Sequence, residues 1–141
     1  MKKLMFALII AFCFPLLACN ATVNKDGNAG SELNPAGIMV YYFHNERRCA
    51  TCVAVEDETK KALNELYAAR MKSGEITFQS INLEEKSGEN LANSLKVAGQ
   101  TLLIVSGNKQ TDLTDKAFLY ARSNPAKLKA EVKKAVDAAL K

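Results

Sequence analysis

Apolar and polar positions divide the chain into an apolar start, a polar stretch and a series of well-marked elements. Leu4 to Leu17 is almost wholly apolar, and residues 21–37 are polar, rich in Asn and Gly, with no apolar period. From Ile38 the pattern becomes orderly. The continuous apolar run Ile38 to Phe43, closed by His44, predicts a strand buried on both faces. Asn45 to Arg48 is then a loop. From Cys49 to about Lys72, Val53, Leu63, Leu66, Tyr67 and Ala69 recur near helical spacing among many charges, and Ser73-Gly74 stops the helix.

A second strand is predicted over Glu75 to Asn82, through Ile76, Phe78 and Ile81. The polar turn Glu84 to Gly88 leads into a short helix over about 88–97, carrying Leu91, Leu95 and Val97. Thr101 to Val105 is a third buried strand, and Ser106-Gly107-Asn108 a hairpin turn. Lys116 to Ala121 (KAFLYA) reads as a fourth strand. Asn124-Pro125 supplies an N-cap with proline at the first helical position. Leu128, Val132, Val136 and Leu140 then mark a last helix. The order strand–helix–strand–helix–strand–strand–helix implies parallel pairing in the first half and an antiparallel edge from the hairpin. The predicted class is α/β, a four-stranded mixed sheet with helices on both faces.

Charge and cysteine content change meaning once the N-terminus is set apart. Lys2 and Lys3 precede the apolar run, which is too short for a membrane span and has the form of an export signal. Leu16-Leu17-Ala18-Cys19 resembles a bacterial lipobox. That resemblance implies a signal peptide over 1–18, lipid on Cys19, a flexible tether over 19–37 and a folded domain over 38–141. It places the protein in the bacterial cell envelope, lipid-anchored and facing the periplasm. Asn20, in place of a retention aspartate, favours the outer membrane. Without Lys2 and Lys3, the basic residues fall from 19 to 17 against 15 acids, and the net charge from +4 to +2. That balance excludes an electrostatic nucleic-acid binder. Lys127, Lys134 and Lys141 mark the solvated side of the last helix, not a basic patch.

Of the four cysteines, Cys13 leaves with the signal and Cys19 takes the lipid, so Cys49 and Cys52 remain alone. A stapled scaffold would carry more cysteines at wider spacing, and so short a loop gains little from closure. The pair therefore reads as reactive. Cys49 lies where a strand passes into a helix, so the helix dipole favours its thiolate. Cys52 lies one turn on, within reach to resolve a mixed disulfide. Arg47 and Arg48 bring positive charge beside Cys49. Glu56 and Asp57 read as a solvated helix face, with a proton-relay role for Glu56 as the lesser reading.

The strand–CxxC–helix junction (CATC) and the segment QTLLIVSGN resemble the thioredoxin-like superfamily over about residues 38–140. The resemblance implies a thioredoxin-like fold and a thiol–disulfide oxidoreductase with Cys49 and Cys52 as catalytic residues. It implies no organic cofactor, since the dithiol itself carries the electrons. Its partners would be protein thiols or disulfides and a membrane thiol carrier, with the membrane reached through the N-terminal lipid. Three positions depart from the family. Gln100 stands where a cis-proline shapes the substrate groove and keeps metal from the dithiol; a cis bond there would cost roughly 3 kcal/mol, so Gln100 is expected trans. Arg48 replaces the common tryptophan before the first cysteine. The buried acid behind the CxxC has no counterpart on the first strand, which offers Tyr41 or Tyr42. Two rival readings stay open: copper(I) or zinc on Cys49, Cys52 and the single histidine, His44, or a non-catalytic interaction domain.

Overall fold

A computed structural model describes residues 37–141. The expected signal peptide, Cys19 and nearly all of the tether lie outside these residues. The elements are β1 (Ile38–His44), α1 (Ala50–Lys72), β2 (Ile76–Asn82), α2 (Lys86–Ser94), β3 (Thr101–Ser106), β4 (Lys109–Asp112), α3 (Thr114–Tyr120) and α4 (Pro125–Ala139). They build one sheet in the order β2-β1-β3-β4. β1 runs parallel to β2, with Ile38 opposite Ile76, and antiparallel to β3, with Val40 opposite Ile104. β4 returns antiparallel to β3 as the edge.

The central position of β1 explains its unbroken apolar run. Ile38, Val40 and Tyr42 point into one core, formed with α1, α3 and α4. Met39, Tyr41 and Phe43 point into the other, beneath α2. Each fully buried side chain of this size contributes about 1.5–3 kcal/mol, so a strand apolar on both faces anchors both layers.

The fourth strand is not where the apolar pattern put it. KAFLYA belongs to α3, and the edge strand is the polar KQTD segment. Two features decide this. Asp112 Oδ1 accepts from the Thr114 N–H at 2.8 Å, occupying a free donor of the first turn of α3, whose N-cap is Leu113. Leu113, Ala117 and Ala121 then bury one face at four-residue spacing, leaving Leu119 62% exposed. KQTD can be polar because an exposed edge needs only backbone pairing on one side, and charge there discourages further pairing.

α2 begins two residues earlier than the pattern suggests and ends at Ser94, where Lys96 enters the left-handed region at φ 58°. Gly88 is required at its first turn. A Cβ there would lie 1.9 Å from the Asn82 carbonyl oxygen.

Candidate active site

The buried face of α1 differs from the predicted stripe. It consists of Cys52, Val55, Glu56, Thr59, Ala62, Leu63 and Tyr67. Val53 and Ala69 face outward instead. The inner face includes a carboxylate and a hydroxyl, which an apolar pattern cannot register.

The β1–α1 junction positions the cysteine pair. Cys49 is the N-cap of α1, in extended conformation, and its Sγ accepts the Cys52 backbone N–H at 3.1 Å. Its carbonyl accepts the first helical bond, from Val53 at 3.0 Å. The two cysteines form a disulfide with Cα atoms 5.1 Å apart. Their exposures differ: Cys49 is exposed, whereas Cys52 is 3% exposed. An N–H aimed at Cys49 Sγ and the positive end of a long helix both favour a thiolate there.

The junction is tied from below. Glu84 accepts from the Glu46 backbone N–H at 3.0 Å, and Leu83 N–H donates to the His44 carbonyl at 2.8 Å. The β2–α2 turn thus holds the loop that carries the cysteines. His44 Nδ1 donates to the neighbouring Asn45 carbonyl at 2.9 Å. Among the described residues, no three His, Cys, Asp or Glu side chains converge to hold a metal ion. His44 is therefore not brought into a ligand set with Cys49 and Cys52.

Gln100 does meet the pair. Its Oε1 lies 3.3 Å from Cys52 Sγ. In the disulfide that sulfur has no proton; on reduction the thiol gains one and can donate across this contact. The described residues contain no cis peptide bond, so Gln100 is trans as expected. A groove of about 690 Å³ opens beside Gln100, with Asn45, Glu84, Glu89, Asn93 and Val97 among its walls.

Glu56 requires a correction. It is 7% exposed rather than solvated. Its two oxygens are held by Arg48 and by Lys60. Burial pushes its carboxyl upward, but hydrogen bonds from Lys60, Arg48 and Ser80 outweigh this and hold it below the ordinary carboxylate range. Arg48 is correspondingly turned inward, its guanidinium carbon 5.7 Å from the centre of the Tyr42 ring. It is engaged by Glu56 rather than free beside Cys49. Burial likewise raises Tyr42, against the opposing pull of Arg48. The hydroxyl of Tyr42 and the Nε of Arg48 are both buried without a hydrogen-bond partner. The sequence signal for this cluster was the run Cys52, Glu56, Lys60 at four-residue spacing, one helix face rather than scattered solvated charges.

No known family model matches the chain, and no curated protein matches it in sequence. Solved structures do. Thioredoxin O2 from Arabidopsis thaliana, in its oxidised state, aligns with a TM-score of 0.50 and 17% identity, over 70% of this chain and 75% of that one. The fold is thioredoxin-like. A structure described as a malarial protein also aligns, with a TM-score of 0.45 and 18% identity, over 67% of this chain and 96% of that one. At these identities the likeness is one of fold. A thioredoxin-like domain with a CxxC pair at disulfide distance on the first turn of α1 is suited to thiol–disulfide exchange.

Proposed function

We propose that the protein is a thiol–disulfide oxidoreductase in which Cys49 attacks and Cys52 resolves. The observation that carries this reading is the asymmetry of the pair. Cys49 is an exposed N-cap whose sulfur receives a backbone N–H, and Cys52 lies buried one turn along.

In the reducing direction the Cys49 thiolate attacks one sulfur of a partner disulfide. The partner S–S bond breaks, its second sulfur leaves as a thiolate, and a mixed disulfide forms. Cys52 then loses its proton and attacks Cys49 Sγ. The partner's remaining thiolate is released, and the Cys49–Cys52 bond forms. Two electrons pass from the dithiol to the partner. The same steps in reverse oxidise a partner dithiol. The dithiol is the only redox group this needs, and a second dithiol, such as a membrane thiol carrier, must restore it. We further propose attachment to the envelope through lipid on Cys19, a reading supported by the sequence motif alone. Loss of labelled palmitate incorporation in a Cys19→Ser variant tests it.

The exchange reading is tested with insulin as disulfide substrate. The wild type is expected to reduce it, Cys49→Ser to be inactive, and Cys52→Ser to be slow but to accumulate mixed disulfides with partners. A wild type inert toward insulin, whose Cys52→Ser variant also traps nothing, would sink the proposal.

A further inference from the structure

Glu56 is a buried carboxylate that neither the exchange steps nor the sheet requires. It lies four residues after Cys52, on the same inner face of α1, and seven after Cys49. The groups facing it come from every neighbouring element: Arg48 from the β1–α1 loop, Lys60 from its own helix at 2.5 Å, Ser80 from β2, and Tyr42 of β1 beneath Arg48. Arg48 directly precedes the attacking cysteine. Released, its long side chain would be the cation nearest in sequence to Cys49 Sγ. Instead, its guanidinium is folded inward and neutralised by Glu56.

We propose that Glu56 is a positioning residue for the dithiol. By holding Arg48 in an ion pair on the inner face of α1, it withholds that positive charge from Cys49 and so sets how readily the first thiolate forms. The inference rests on the exchange reading and deepens it. The two charges act on Cys49 from nearly the same place and largely cancel. Removing either should therefore move the thiolate in opposite directions.

The size follows from geometry. Seven residues of helix place Glu56 about 10 Å from the cap, and a unit charge there, at an effective dielectric near 20, shifts a titration by about one pH unit. Without the carboxylate, the thiolate is better stabilised. The reduced form then gains on the disulfide, and the pair becomes more oxidising.

The experiment measures the rate of iodoacetamide alkylation against pH in the reduced full-length protein, followed on the Cys49 peptide by mass spectrometry. Redox equilibrium with glutathione is measured in parallel. Glu56→Gln should lower the alkylation midpoint by about one pH unit and shift the glutathione equilibrium about tenfold toward the dithiol. Arg48→Met should raise the midpoint by a similar amount. The double variant should return close to wild type, and Glu56→Asp should restore most of the wild-type profile. If Arg48→Met folds poorly, Lys60→Met, a change at a half-exposed side chain, should give a smaller rise in the same direction. A packing role would not reverse sign between partners or cancel in the pair. A lowered wild-type midpoint left unmoved by these changes, or moved the same way by Glu56→Gln and Arg48→Met, would overturn this inference alone. A wild-type profile equal to that of a free thiol would overturn the exchange reading and this inference with it.

Discussion

Reducing the Cys49–Cys52 disulfide should change the stability of the domain very little, and the amount can be worked out. The bond joins residues separated by three positions. On the chain-entropy account, so small a loop constrains the unfolded state by only about 2 kcal/mol. Part of this is offset in the reduced protein. Cys49 Sγ already accepts the Cys52 N–H at the head of α1, so its thiolate is stabilised in the folded state and not in the unfolded one. Each pH unit by which the fold lowers its titration below the pH of the assay returns about 1.4 kcal/mol. The sign is that of an acid with a depressed folded pKa. The offset is present at high pH and is lost as pH falls through the folded value. Oxidised and reduced forms should therefore differ by less than about 2 kcal/mol near neutrality, with the gap widening toward about 2 kcal/mol as the pH is lowered. Paired urea titrations of the oxidised and dithiothreitol-reduced protein at several pH values measure it. A gap of about 4 kcal/mol or more, constant with pH, would identify the bond as a structural staple and refute the reasoning.

Three further outcomes follow from other contacts. Gln100→Ala removes an acceptor that serves only the reduced Cys52 thiol, so the dithiol should lose about 0.5–1 kcal/mol against the disulfide and the potential should fall by about 10–20 mV. A rise in potential would refute this role for the Gln100 side chain. Gly88→Ala forces a methyl against the Asn82 carbonyl and should cost at least about 2 kcal/mol in urea unfolding; a neutral result would show that α2 can shift freely off the end of β2. Because Lys60 and Arg48 hold the Glu56 carboxyl below its ordinary range, its contribution is full above that range and lost as pH falls through the folded value. Glu56→Gln should thus cost about 2 kcal/mol at pH 7, with the difference from wild type holding down to the ordinary carboxylate range and shrinking only below it in thermal or urea melts; an unchanged difference would remove ionisation from the account.

The sequence disclosed the fold where apolar burial alone determines structure. β1 is apolar on both faces because it lies between β2 and β3, so its unbroken run was legible. The placement of the cysteine pair at the head of α1 was legible too, since CxxC directly follows that strand. The reading failed where the spacing of buried positions outranked apolar content. In KAFLYA the aromatic run looks extended, but Asp112 and Thr114 start a helix that only Leu113, Ala117 and Ala121 need bury. It failed again at Glu56 and Arg48. Charged residues default to solvent in a pattern argument, and their burial follows from finding each other across eight residues of chain.

Gln100 and Arg48 both border the cysteine pair. Gln100 contacts Cys52, Arg48 precedes Cys49, and Arg48 pairs with Glu56, a buried acid on α1 four residues after Cys52. This arrangement limits the bases available to the second thiol. A carboxylate with two cationic partners, held below its ordinary titration range, is a weak base at neutral pH. The Gln100 amide oxygen can receive a hydrogen bond but cannot take the proton. The Cys52 proton must therefore pass to solvent or to the thiolate of the partner as it leaves. Resolution of the mixed disulfide should then depend on the basicity of that leaving sulfur more than on any side chain of the domain. On the proposed exchange, Glu56 then contributes through charge and position rather than as a base, and the Cys52 proton leaves to solvent or to the departing sulfur.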